Sequence, residues 1–106
     1  SFFKNPVVPK EQANALLKQY PDMPYFPSPQ GDGNEEFVKI PAAWLIEQCG
    51  WKGKKLGGAQ CYPKQPLVLV NADNATAEDV VNLAAAICRD VQTKFGITIS
   101  PEVNYI

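Results

Sequence analysis

Ten prolines in 106 residues decide where this chain can form regular structure. Proline has no backbone N–H and a fixed φ, so it stops helices and is kept out of central strands. Pro9 and Pro41 suit the first turn of a helix, and Pro21 stops one. Pro6 confines an opening strand to an edge or an end. The segment Pro21 to Phe37, PDMPYFPSPQGDGNEEF, holds four prolines and two glycines and cannot be helical. It reads as a long, stiff surface loop, and its composition suits a binding lid and a tolerated insertion equally well.

Between these breaks the periodicity predicts short elements. Residues 1 to 8, SFFKNPVV, read as a strand. A helix is expected over 9–20, with Ala13, Leu16, Leu17 and Tyr20 on its apolar face. A second covers 41–49 and ends before Gly50. Strands are expected at 59–62 and 67–71; the run LVLV in the latter reads as a central one. The clearest element is a helix over 76–95. Thr76 caps it with Asp79 three residues on, Val80, Ala84, Ile87, Val91 and Phe95 form one stripe, and Gly96 ends it. Cys88 lies beside that stripe and reads as core. Short strands at 97–99 and 102–106 complete the chain. The expectation is a single α+β domain, with about five short strands in a mixed sheet packed against about three helices.

Several function classes are excluded early. There is no histidine, so a Ser-His hydrolase cannot be built within this chain, and the commonest metal ligand is missing. Three cysteines, Cys49, Cys61 and Cys88, fit no zinc spacing and read as reduced thiols, so no metal is expected. The net charge of -1, with dispersed Lys and Arg, gives no reason to expect nucleic acid or a membrane surface as partner. No apolar run is long enough to span a bilayer.

The two ends carry the polar residues of most interest. Alternation along a strand puts Ser1, Phe3 and Asn5 on one face; Glu102 and Asn104 share a face at the other end. Domain termini are often close in space, so the two faces could meet. By spacing alone the solvated polar faces of two edge strands are the better reading.

SFFKNP (1 to 6) is followed in order by AAWLIEQCGWKGKKLGGA (42 to 59), QPLVLVN (65 to 71), NATAEDV (74 to 80) and PEVNYI (101 to 106). Together these blocks resemble the C-terminal part of the UDP-N-acetylenolpyruvoylglucosamine reductase family of peptidoglycan precursor synthesis, from the first residue to the last. The resemblance implies a cytoplasmic bacterial flavoenzyme serving cell wall biogenesis. In it NADPH reduces bound FAD, and the reduced flavin passes hydride to the enolpyruvyl group of UDP-N-acetylglucosamine enolpyruvate. Ser1 matches the family's proton donor and Glu102 its catalytic glutamate. Asn5 matches a substrate contact. Lys52 resembles a lysine on the substrate diphosphate, against the plain alternative of a solvated lysine in a basic turn. Gln65 resembles a glutamine near the diphosphate or sugar. One branch of the family closes a loop tyrosine over the diphosphate. Tyr25 is assigned that place because a phenol can hydrogen-bond phosphate, with Phe26 as the other occupant.

The family's glycine-rich flavin loops lie upstream, and Gly57-Gly58 is too short to replace them. The chain is therefore expected to begin inside a parent protein and to lack the N-terminal FAD-binding domain. It would bind no cofactor and fold without catalysing. The alternative is a stand-alone module binding a nucleotide sugar or another phosphorylated ligand.

Overall fold

The structure is a computed structural model that describes residues 2–28 and 36–101. Ser1 and the strand expected at 102–106 lie outside the described residues, as does much of the insertion after Ser28. The described chain is α+β, as expected. Among the described residues six strands occur rather than about five, in two three-stranded sheets rather than one mixed sheet. Their pairings are antiparallel. None of these strands exceeds three residues, so each ladder joins only short segments and no parallel crossover is built among them.

The first sheet contains β1 (Val7–Pro9), β2 (Phe26–Ser28) and β3 (Phe37–Lys39), in the order β1-β3-β2. Val8 and Pro27 both face Val38 in register. The segment 21–37 is thus not all loop: β2 lies inside it. Its Pro27 is tolerated because β2 is an edge strand. The expected opening strand is shorter than 1–8. Its ladder starts at Val7, because Pro6 can donate nothing and offers only its carbonyl, to the N–H of Ile40 at 3.0 Å. Helix α1 (Lys10–Gln19) comes next, with Ala13 buried and Leu16, Leu17 and Tyr20 half-buried against the core.

Helix α2 (Ala42–Gln48) buries Ala42, Leu45 and Ile46. The second sheet consists of β4 (Lys55–Leu56), β5 (Ala59–Cys61) and β6 (Leu69–Asn71), in that order. The LVLV run is not central. The Gln65 carbonyl accepts the Val68 N–H at 3.0 Å in a turn after Pro63, so the strand starts only at Leu69 and forms an edge. The central strand is the less apolar AQC of β5, with Ala59 and Cys61 buried.

Helix α3 (Ala77–Phe95) packs on β4, β5 and α2, and buries Leu83, Ala84, Ala86, Ile87, Val91 and Phe95. Tyr20, Trp44 and Phe95 form an aromatic cluster, with centroids 5.0 to 6.0 Å apart, that ties the three helices together. Such pairs add about 0.5–1.5 kcal/mol each beyond their burial. Gly96 ends α3 at φ +68°. Beyond it, Ile97 and Ile99 are buried and Thr98 and Ser100 exposed, the alternation of a strand. No ladder forms over 97–99 among the described residues, because the chain meets a partner strand segment only at Phe3↔Pro101.

The start of α3 is fixed from two sides. Thr76 Oγ1 accepts the Asp79 N–H at 3.1 Å, and Asp79 Oδ2 accepts the Thr76 N–H at 3.1 Å. The same carboxylate oxygen accepts the Gly58 N–H at 3.3 Å, so the capping box also holds the turn between β4 and β5. A Cβ at Gly58 would collide with the Asp73 carbonyl and lie 2.8 Å from the Ala75 backbone. The glycine is required by packing, not by φ.

Gly58→Ala should therefore destabilise the protein by about 1–3 kcal/mol, the range for overpacking a site that cannot yield. A thermal midpoint equal to that of the parent would contradict this account. The N–H groups of Thr76, and then of Gly58, hold the Asp79 carboxyl below its usual range. A depressed folded value gives stability that is complete above the unfolded pKa, ~3.9, and is lost as pH falls through the folded one. Asp79→Asn should remove that acid dependence, so its stability deficit narrows as urea titrations move from about pH 5 to about pH 2.

Candidate functional site around the paired chain ends

Both ends of the described chain converge. Phe3 bridges Pro101 in antiparallel sense, and the Lys4 N–H donates to the Ser100 carbonyl at 3.0 Å. On the other side, the Phe2 N–H donates to the Leu67 carbonyl at 2.6 Å. Phe3 is only 2% exposed and meets Phe2 edge-on at 5.3 Å, which anchors this junction in the core. Ser1 and Glu102 lie outside the described residues, but their chain neighbours Phe2 and Pro101 belong to this junction. Beside it lies an apolar hollow of about 250 Å³, lined by Phe2, Val81, Ala84, Ala85, Cys88 and Pro101. The helix stripe read from the sequence misses this feature. The available signal is Val81 and Ala85, apolar residues next to the stripe rather than on it.

Asn5 does not continue the alternation expected over 1–8, because Lys4 and Asn5 are both exposed. Its side chain turns to α2. Asn5 Oδ1 accepts the Ala42 N–H at 2.9 Å, capping a helix whose own N-cap residue, Pro41, has no side-chain acceptor. The amide oxygen of the expected substrate contact thus has a structural partner, and the NH2 group is the part left to offer a ligand.

Lys52 lies beyond α2 in an exposed turn. Its Nζ is 3.5 Å from Glu47 Oε1, an exposed ion pair of the kind that contributes about 0–1 kcal/mol. The turn itself is firmly built. Trp51 is buried, the Lys54 N–H donates to the Trp51 carbonyl at 2.8 Å, and the Gly53 N–H donates to the Cys61 carbonyl at 2.9 Å. Gly53 has φ +81°, a conformation that few other residues adopt without strain. Gln65 lies in the loop from Tyr62 to Val68, whose ends are joined by the Tyr62 N–H donating to the Val68 carbonyl at 2.9 Å. Gln65 Oε1 accepts the Leu67 N–H at 3.3 Å, so this side chain steadies the stretch that receives Phe2.

Tyr25 is 46% exposed and directly precedes edge strand β2; Phe26, 56% exposed, is on it, opposite Lys39. The structure therefore brings Gln65 to the paired ends through Leu67 and links Asn5 to Lys52 through α2. Tyr25 stands apart, beside the first sheet. Among the described residues no hydrogen bond or ion pair joins Tyr25, Lys52 and Gln65.

The Gly57-Gly58 pair does not fit a flavin pyrophosphate. The Gly58 N–H is engaged by the Asp79 carboxylate, and a second anion would meet that charge at close range. Cys49, Cys61 and Cys88 are free thiols, and burial pushes all three up, so they are protonated rather than reactive thiolates. Cys61 Sγ donates to the Pro66 carbonyl at 3.4 Å.

The model of the family described as "UDP-N-acetylenolpyruvoylglucosamine reductase, C-terminal domain" matches residues 1–106. The UDP-N-acetylenolpyruvoylglucosamine reductases of Bacteroides fragilis, Porphyromonas gingivalis and Escherichia coli (strain K12) are each 51% identical to the chain over 106 residues. Each match covers 100% of this chain and 30% of the relative, so the chain spans under a third of their length. The chain belongs to the UDP-N-acetylenolpyruvoylglucosamine reductase family and corresponds to its C-terminal domain.

Proposed function

We propose that this chain is the substrate-binding part of an NADPH- and FAD-dependent reductase. The parent enzyme would convert UDP-N-acetylglucosamine enolpyruvate to UDP-N-acetylmuramate in bacterial cytoplasmic peptidoglycan synthesis. The observation that carries the reading is the pairing of the chain ends at Phe3↔Pro101, beside Leu67. It makes backbone neighbours of the two segments that lead to Ser1 and Glu102. Family membership over the whole chain supports it, and so does a length that leaves most of each relative unaccounted for. That remainder would hold the flavin, which this chain's glycine pair does not suit. The cofactor supplies the hydride when bound. No helix among the described residues is long and apolar enough to cross a membrane.

The roles of this chain's residues derive from the chemistry of an enolpyruvyl ether. Hydride addition at the carbon β to the carboxylate leaves a strongly basic, enolate-like centre at the adjacent carbon. A serine hydroxyl is a poor acid at neutral pH, yet it can protonate such a centre because the driving force is large. Ser1 is the proton donor in this reading. Glu102 stabilises or protonates the developing enol of the carboxylate. Lys52 meets the diphosphate as a point charge, Gln65 contacts the diphosphate or sugar, and Tyr25 closes from the first sheet. Asn5 offers its NH2 group to substrate while its oxygen caps α2. The isolated chain would bind no flavin and turn nothing over.

In the full-length enzyme, Ser1→Ala and Glu102→Gln should cut the chemical step by about 10²-fold or more while leaving substrate KM within a few-fold. Stopped-flow measurement of reduced-flavin reoxidation by substrate separates this step from flavin reduction by NADPH. If both variants reoxidise flavin at the parent rate and only Lys52→Ala weakens binding, the chain is a ligand-binding module and the catalytic reading fails. Asn5→Ala should do two things together: lower stability by about 1 kcal/mol through the lost cap, and raise substrate KM. A rise in KM with an unchanged unfolding midpoint would contradict the capping role.

A further inference from the structure

The Lys52 turn is tied to α3 by one hydrogen bond. Trp51 is 4% exposed, and its indole Nε1–H donates to Asp90 Oδ2 at 2.8 Å, across 39 positions of sequence. Asp90 is half-buried on α3, near the end of that helix, and is held there by the packing of its neighbour Val91, which is fully buried. The same indole carries the Lys54 ammonium, 4.4 Å from the ring centroid. Trp51 is therefore fixed at its edge and over its ring, and Lys52 is the next residue. Beyond Lys52 the backbone is fixed as well, by the Gly53 N–H on the Cys61 carbonyl and the Lys54 N–H on the Trp51 carbonyl. The Lys52 side chain, by contrast, is held by a long, exposed pairing with Glu47. The backbone that carries this ammonium is thus rigid, while the ammonium itself is readily released.

We infer that Asp90 is a positioning residue: through the Trp51 indole it sets where Lys52 presents its charge to the substrate diphosphate. A lysine is a point charge on a flexible stem, so its grip on phosphate depends on where its Cα is held. The inference rests on the ligand role given to Lys52 in the proposed function. It adds a residue that touches no ligand and whose effect passes entirely through a tryptophan. The negative charge of Asp90 is not the operative property. An acceptor in the right place is, because the partner is a neutral N–H.

The test uses the full-length enzyme, with steady-state kinetics on UDP-N-acetylglucosamine enolpyruvate and thermal unfolding measured in parallel. Asp90→Ala and Trp51→Phe each remove one end of the bond; the phenylalanine keeps a ring under Lys54. Both should raise the substrate KM about five- to tenfold, with kcat within about twofold and flavin reduction by NADPH unchanged. Asp90→Asn keeps an oxygen acceptor and should restore KM to within about twofold of the parent. Lys52→Ala serves as the reference and should raise KM at least as much. If Lys52→Ala raises KM while Asp90→Ala and Trp51→Phe leave it unchanged, the positioning role is overturned and the proposed function stands. If Lys52→Ala itself leaves KM unchanged, the ligand role of the lysine fails and this inference fails with it. A fall in unfolding midpoint with KM unmoved would make the bond purely structural and would also overturn it.

Discussion

The apolar stripe of α3 is the constraint on which the rest of the molecule depends. With strands of three residues or fewer, neither sheet can bury much by itself, and an isolated ladder of that length is marginal in water. Burial of Leu83, Ile87 and Val91 on the long helix supplies what the sheets lack. The helix also serves as the common reference for distant parts of the chain. Asp79 at its start holds the Gly58 turn, Asp90 near its end holds Trp51, and Phe95 in its last turn joins Tyr20 and Trp44. Each of these contacts ties a loop or helix to the same rigid rod, so the loops inherit its order.

That dependence explains which parts of the fold could be read from the sequence. The helices were legible because their signals are local. Thr76 and Asp79 form the capping box within one turn, Gly96 takes the left-handed conformation, and Pro9 and Pro41 stand just before α1 and α2. The strands were less legible because pairing is decided by partners far away in sequence. The LVLV run is as apolar as a central strand, yet the turn after Pro63 consumes its first half and leaves β6 at an edge. The modest AQC segment is central because Lys55–Leu56 and Leu69–Asn71 both find it. Ile97 and Ile99 alternate as a strand would but have no ladder beside them among the described residues.

The candidate site shows the same division. Residue identity and order were enough to nominate Asn5, Lys52 and Gln65 as candidates, since the blocks that contain them resemble one family throughout. What those residues do in the fold was not visible. Nothing in SFFKNP says that the Asn5 oxygen would cap a helix starting 37 positions later. Nothing in the Lys-Gly turn says that the tryptophan before it is held by an aspartate of α3. These are long-range bonds between groups whose types are ordinary on any surface. The apolar hollow at Phe2 and Val81 escaped for a related reason, because a helix face is read as one stripe and a second apolar edge is discarded.

Seen together, the polar residues of the proposed site have partners of two different strengths, and the difference matters for binding. The backbone beside Lys52 and Gln65 is closed by short hydrogen bonds, Gly53 on Cys61 and Phe2 on Leu67, and the Asn5 side-chain oxygen is itself tied to the Ala42 N–H. The side chains of Lys52 and Gln65 are held more weakly, with Lys52 on Glu47 at 3.5 Å and Gln65 on Leu67 at 3.3 Å, both at exposed positions. An exposed ion pair gives up only about 0–1 kcal/mol when it is broken, so exchanging Glu47 for a diphosphate costs Lys52 little. A rigid frame loses little further entropy when ligand arrives, because most of the ordering is already done in folding. Strong bonds in the frame and weak ones at the tips are the combination a site needs in order to bind a charged sugar nucleotide and then release it.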